Sequence, residues 1–78
     1  MIPSKTQIIT SADGELDLVH CVAIEAVDGD ATFTTLDEGG VASDKDSETL
    51  LEGQTWYSWK KTFTTIEVAT GTIYAHFK

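Results

Sequence analysis

The sequence lacks the devices by which most short chains stabilise themselves. It has 78 residues and a single cysteine, Cys21, so no disulfide can form within the chain. Cys21 adjoins His20, and His76 stands far off in the sequence, so the spacing of a zinc site is absent. A domain this small buries only about 60% of the surface that its unfolded chain exposes. We expect one β domain over residues 1–78, without metal or cofactor, that gains stability from oligomerisation or from docking on a larger assembly.

Basic residues are scarce. Five lysines and no arginine face 13 acidic residues, and the formal net charge is -8. Nucleic acids and anionic membranes are bound through clustered basic side chains, so we expect no direct binding to nucleic acid and none to a membrane. A signal-peptide stretch and a run of roughly 20 apolar residues are also missing, which predicts a soluble protein made in a cytoplasm.

The apolar residues also do not recur with the spacing of a helix. They recur instead with the two-residue spacing of a strand. β-branched and aromatic residues alternate with polar ones, and turn residues interrupt them roughly every 8–12 positions. The pattern predicts strands over 5–10, 18–27, 31–36, 55–59, 65–69 and 72–78. This favours an all-β fold, a small β-sandwich or barrel of about six to seven short antiparallel strands, and one that is oligomeric.

Turn residues predict how these strands are connected. The segment 11–14 ends in Asp-Gly and reads as a tight turn. Asp-Gly-Asp at 28–30 predicts a hairpin between the second and third strands, and Thr70-Gly71 predicts another between the last two. The segment 37–48 holds two glycines and many acids, and we expect an exposed acidic loop there.

Side-chain alternation predicts which residues share a face. In the second strand, Val22 and Ile24 fall on one face and Cys21 and Ala23 on the other, so both faces are apolar, as in a central strand. The alternation slips by one position between 60 and 65, which a bulge or a turn would cause.

Residues with catalytic potential do not form a recognisable motif. Neighbouring residues on a strand point to opposite faces, so His20 cannot activate Cys21, and no G-x-S-x-G sequence is present. We therefore expect Cys21 to be buried and the protein not to be an enzyme, and we keep a small hydrolase as a minor alternative. The acidic runs at 28–30 and 44–48 lack the frame of an EF-hand loop, although an irregular calcium site built from both remains open.

Aromatic residues form the most promising cluster. The candidate binding residues are Trp56, Tyr57, Trp59, Lys60 and Lys61. A regular strand cannot turn both tryptophans inward, so we predict that Trp59 packs in the core and that Trp56 is buried at an interface. A platform on which a sugar ring stacks is the alternative.

The C-terminal half also carries a family resemblance. The run Thr49-Leu50-Leu51-Glu52-Gly53-Gln54-Thr55 is followed by Phe63-Thr64-Thr65-Ile66-Glu67-Val68-Ala69-Thr70-Gly71-Thr72-Ile73-Tyr74-Ala75. This pattern, over roughly 49–77, resembles very small structural proteins of tailed bacteriophages, including capsid decoration (cement) proteins. The resemblance implies a place on the capsid surface of the virion after assembly in the host cytoplasm. It also implies association with itself as a trimer or dimer, contact with the major capsid protein or another virion protein, and no catalytic residues.

Two functions are therefore expected. The first is a structural accessory protein of a phage virion that binds and stabilises the capsid shell. The alternative is a tail, neck or fibre component, or a module that binds carbohydrate or a host surface.

Overall fold

The chain forms a single antiparallel sheet of seven strands. The computed structural model describes residues 5–58 and 61–78. The strands are β1 (Lys5–Thr10), β2 (Glu15–Ala26), β3 (Thr32–Glu38), β4 (Val41–Ala42), β5 (Thr55–Tyr57), β6 (Phe63–Thr70) and β7 (Thr72–Phe77), with a 3-10 turn at Ser11–Asp13. The predicted all-β fold of six to seven short antiparallel strands is confirmed, as are the first strand and the turn after it. No helix in the described ranges is long and apolar enough to cross a membrane.

The strand order differs from the one that the turn residues predict. The sheet runs β1-β7-β2-β6-β3-β4, and β5 pairs with β2. Since β6 lies between β2 and β3, the turn at 28–30 does not form the predicted hairpin. Since β6 and β7 lie on opposite edges of β2, Gly71 forms a corner and the second predicted hairpin is also wrong. A turn sequence specifies a reversal of the chain but leaves the hydrogen-bonding partner of each strand open.

A bend in β2 allows this strand to pair with three others. Residues 15–17 pair with β6, residues 23–25 with β5, and residues 21–26 with β7 on the opposite edge. The register shifts on both sides of Cys21, and His20 has a φ of 65°. Extra residues at a bulge reverse the side-chain alternation. Cys21 and Ile24 therefore share the buried face, and our prediction that they point apart is wrong.

One apolar core fills the inside of the sheet. The buried cluster comprises Ile9, Leu18, Cys21, Ile24, Ala26, Ala31, Phe33, Leu36, Leu50, Trp56, Phe63, Ile66, Val68, Ile73, Ala75 and Phe77. Because the only helix described is a single 3-10 turn, the sheet itself must curl so that one of its faces encloses these side chains. The predicted slip in alternation is present in β6, where Phe63 and Ile66 are both buried and the register against β3 shifts.

The acidic segment 37–48 is partly built into the sheet, whereas we expected an exposed loop throughout. Residues 37 and 38 end β3, and the chain reverses into β4 through Gly39 and Gly40, whose φ angles are 60° and 84°. Two successive positive φ angles are typical of a tight two-residue hairpin turn. Ser43 behind this turn is buried, and the turns that follow at 44–48 are mostly exposed.

Candidate binding groove

A shallow groove lies where the β3–β4 hairpin faces β5. Its volume is about 350 Å³. The lining residues are Glu38, Val41, Ala42, Ser43, Asp44, Lys45, Tyr57 and Lys61. Tyr57 and Lys61 both belong to the set that the sequence predicts for binding, and the fold brings them to the same groove. We refer to it below as the Tyr57 groove.

Hydrogen bonds to one carboxylate order the floor of the Tyr57 groove. The buried hydroxyl of Ser43 donates to Oε1 of Glu38 at 2.9 Å, and that of Ser58 donates to Oε2 at 2.7 Å. The hydroxyl of Ser43 also accepts from the backbone N–H of Lys45 at 3.2 Å. Hydrogen bonds to an ionised acceptor are stronger than neutral ones. Glu38 therefore ties the hairpin to the chain after β5, and the groove is formed before any ligand arrives.

Neighbouring aromatic residues on β5 point to opposite faces of the sheet, as alternation requires. Trp56 lies opposite Ile24, is only 8% exposed and packs on Phe33 with ring centroids 5.9 Å apart. Tyr57 lies opposite Ala23 and is 55% exposed. The prediction that Trp56 is buried at an interface is therefore wrong, because this ring belongs to the core of the chain itself.

Two of the predicted binding residues, Trp59 and Lys60, lie outside the described residues. The core position that the sequence predicts for Trp59 therefore stays a prediction. The exposed aromatic surface described here is that of Tyr57.

Charges of both signs surround the Tyr57 groove. The ammonium group of Lys45 lies over the ring of Trp56, 5.7 Å from its centroid, and Asp44 lines the groove beside it. On the other side, the stem of Lys61 crosses Gly39 so closely that a Cβ added to the glycine would lie 2.6 Å from Cδ of the lysine. The groove thus offers an exposed aromatic ring, a hydrogen-bonded carboxylate and a lysine side chain.

A hydroxyl, an imidazole and a carboxylate are linked on the outer face of β1, β7 and β2. Thr6 Oγ1 lies 3.1 Å from Nδ1 of His76, and Nε2 of the same ring lies 3.2 Å from Oε1 of Glu25. A nucleophile, a base and an orienting acid have this order in hydrolases, which also need donors for an oxyanion. Here the backbone N–H groups of the three paired strands lie in the plane of the sheet, so they do not point at the hydroxyl as oxyanion donors would. We therefore interpret the two contacts as cross-strand hydrogen bonds that align β1, β7 and β2.

The thiol of Cys21 is buried, as predicted, and it is protonated near neutral pH. Its Sγ donates to the carbonyl of Ala23 at 3.6 Å. Burial raises the pKa of this thiol to about 11, against smaller opposing effects of the backbone at Ala23 and His76. Since the thiolate is the reactive form of cysteine, this residue acts as an apolar core group.

Carboxylates in the turns accept hydrogen bonds from backbone N–H groups. Asp30 Oδ1 accepts a hydrogen bond from the N–H of Glu52 at 2.9 Å. Within residues 5–58 and 61–78, no three His, Cys, Asp or Glu side chains come together in a way that could hold a metal ion.

The sequence reasoning missed the other six residues that line the groove: Glu38, Val41, Ala42, Ser43, Asp44 and Lys45. Ser43 and the neighbouring Ser58 both bond to Glu38, and Val41 is 60% exposed. The signal that could have found them is Gly39-Gly40, a two-residue hairpin sequence that we assigned to a loop. A hairpin at this point would have placed Val41 on a strand facing the aromatic segment.

Comparisons of the chain with protein-family models, curated proteins and solved structures found no match. The functional proposal therefore rests on the groove and on the resemblance carried by residues 49–77.

Proposed function

We propose that the chain is a non-catalytic accessory protein of a phage virion that binds the capsid shell through the Tyr57 groove. The observation that carries the proposal is the exposed ring of Tyr57 on the wall of a groove whose floor is already hydrogen-bonded. Aromatic rings contribute much binding energy at low entropic cost, and ordered surroundings reduce the cost of binding further. The exposed side chain of Val41 extends the apolar part of the same surface.

The resemblance to phage structural proteins supports a role in a virion, but it does not identify the residues that contact the shell. Most of its apolar positions in β6 and β7 are core residues: Phe63, Ile66, Val68, Ile73 and Ala75 are all buried, whereas Leu51 and Ala69 are exposed. The buried positions of the motif specify the fold of β6 and β7. Contacts with a shell must come from the exposed side chains that the fold presents, and the Tyr57 groove presents the largest exposed aromatic ring described.

Binding of this kind stabilises a shell by mass action. A ligand that binds only the assembled state stabilises it by about 2.7 kcal/mol when its free concentration is 100 times its dissociation constant. The partner is the major capsid protein or another virion protein, and association of the chain with itself as a dimer or trimer would multiply the contacts.

Co-sedimentation with empty capsids of the phage that encodes the chain tests the proposal. The wild-type chain should sediment with the capsids, and Tyr57→Ala should weaken binding by roughly 30-fold, the loss typical of a central interface residue. Tyr74→Ala is the matched control, because this partly buried tyrosine lies on β7 and does not line the groove. Wild-type chain that stays in the supernatant, or equal losses in both variants, would contradict the proposal.

A carbohydrate is the second candidate ligand, and a specific observation favours it. The exposed ring of Tyr57 shares its groove with Glu38, Asp44 and Lys61, and an aromatic face flanked by polar groups suits a sugar ring. Quenching of tyrosine and tryptophan fluorescence by a panel of sugars tests this alternative. Saturable quenching that Tyr57→Ala abolishes would support it, and the absence of quenching by any sugar would reject it.

A further inference from the structure

Two of the four described lysines of this acidic chain line a second cleft. This cleft has a volume of about 520 Å³ and lies at the bend of β2. Its lining residues are His20, Val22, Gly39, Ser58, Lys61, Thr62 and Lys78. Three of these seven residues are basic and none is acidic, although the chain has 13 acidic residues and only five lysines and two histidines. We call it the basic cleft.

The two lysines of the basic cleft, Lys61 and Lys78, have no carboxylate partner in the described part of the chain, where the one ion pair involves a histidine. The remaining described lysines are engaged elsewhere. Lys5 and Lys45 each lie over an aromatic ring, at 5.5 and 5.7 Å from the ring centroid. Of the four described lysines, Lys61 and Lys78 thus line one cleft without a carboxylate partner, and their fields add there and favour a bound anion.

Contacts of the main chain bring both lysines to the cleft. His20 adopts a φ of 65°, a conformation that few residues other than glycine adopt, and its carbonyl accepts the N–H of Lys78 at 2.9 Å. The stem of Lys61 lies over Gly39, where an added Cβ would come within 2.6 Å of Cδ of the lysine. Strained backbone that positions side chains is found often at binding sites.

We propose that the basic cleft binds an oxyanion of the phosphate type between the ammonium groups of Lys61 and Lys78. The imidazole of His20 and the hydroxyl of Thr62 line the same cleft and offer further donors. Ser58 contributes none, because its hydroxyl already donates to Glu38. A doubly charged phosphate matches two lysines better than a singly charged carboxylate does. The ligand is either the free ion or a phosphoryl group carried by a larger molecule, since both present the same oxygens.

Titration of the ¹⁵N-labelled full chain with inorganic phosphate, at constant ionic strength near neutral pH, tests the proposal. Shift changes should concentrate on the backbone amides of Gly39, Thr62 and Lys78. Lys61→Gln and Lys78→Gln should each weaken binding by about five- to tenfold, as expected for the loss of one nearby charge. Lys5→Gln removes the same charge outside both the cleft and the Tyr57 groove and should leave binding unchanged. The dispersion of each variant's spectrum reports whether it is folded.

Three results would overturn the proposal. They are the absence of localised shifts with phosphate, an equal response to acetate, and an equal loss of affinity in Lys5→Gln. Gly39→Ala provides an independent check, because it displaces the stem of Lys61 without changing any charge and should also weaken binding. A parallel titration with O-phosphoserine identifies the source of the anion. Tighter binding than that of phosphate supports a phosphoryl group on a larger ligand, and equal binding supports the free ion.

Discussion

At the scale of single residues, two glycines with similar backbone conformations differ in the space around them. Gly71 has a φ of 88°, and a Cβ added there would lie 2.5 Å from the carbonyl oxygen of Asp30 and 2.9 Å from Cα of Ala31. Gly29 has a φ of 81°, and an added Cβ would meet nothing within 4 Å. The corner between β6 and β7 therefore packs directly against the backbone of the turn after β2. Of the two glycines, only Gly71 lies in such close contact.

Replacing these two glycines separates backbone strain from collision. Gly29→Ala should lower the free energy of unfolding by about 1–2 kcal/mol, the cost of a left-handed conformation for an L-residue. Gly71→Ala should cost at least about 3 kcal/mol, because rigid backbone atoms must also move. Urea denaturation of both variants measures the difference. Equal losses would show that the two turns do not meet as described.

Glu38 provides a second test at this scale. Glu38→Ala leaves two buried hydroxyls without an acceptor, and we expect a loss of about 2 kcal/mol in the free energy of unfolding. Glu38→Gln keeps an amide oxygen and an N–H₂ group to which rotated hydroxyls can bond, so its loss should be less than about 1 kcal/mol. Thermal or urea unfolding of the pair measures both values. A glutamine variant as unstable as the alanine variant would contradict the hydrogen-bonded floor of the Tyr57 groove.

Cys21 makes stability depend on pH in the alkaline range. Its pKa rises from an ordinary value of 9.0 to about 11 in the folded chain. Between these values the unfolded chain loses the thiol proton while the folded chain keeps it, so the free energy of unfolding falls as the pH rises. The advantage of wild type over Cys21→Ala should shrink by roughly 2 kcal/mol across this window. Urea denaturation of both proteins at several pH values measures it, and a constant difference would contradict the burial of the thiol.

At the scale of elements, β5 divides core from binding surface within three residues. Trp56→Ala removes a buried ring that packs on Phe33 and should cost about 3–5 kcal/mol. Tyr57→Ala, one position along, should cost less than about 1 kcal/mol because the ring is largely exposed. Urea denaturation gives both values. A large loss from Tyr57→Ala would mean that this ring supports the fold, and its loss of binding could then not be assigned to a surface contact.

Apart from β4, the strands could be predicted from the sequence, and their partners could not. Alternation in β7 places Ile73, Ala75 and Phe77 inward, and the structure agrees. The pairing of β2 with three strands depends on the bend at His20, where a positive φ and two register shifts redirect the chain. Local residue patterns contain no signal for such a bend, because it is stabilised by contacts between residues far apart in the sequence.

The candidate site was predictable to a similar degree. Clustered aromatic and basic residues pointed to the segment that contains Tyr57 and Lys61, and both line the groove. The sequence could not tell which ring of the cluster is exposed, because that depends on which face of β5 meets the core. The contribution of Val41 required knowledge that β3 and β4 form a hairpin facing β5.

At the scale of the whole molecule, the two proposed binding surfaces share one residue. Lys61 lines both the Tyr57 groove and the basic cleft. The rest of the surface carries the charge of a chain with a net charge of -8, which keeps single molecules apart in solution. The proposed attachment to a shell would therefore be local, through an aromatic contact and a small number of cations, and increasing salt should weaken it only modestly.

Heat-induced disassembly of empty capsids, followed by light scattering with and without the added chain, tests whether the chain stabilises the shell through Tyr57. Saturating wild-type chain should raise the disassembly temperature of the shell, and Tyr74→Ala should raise it equally. Tyr57→Ala at the same concentration should leave it unchanged. A shell whose disassembly temperature is unchanged by the wild-type chain, or raised equally by Tyr57→Ala, would contradict the proposed function.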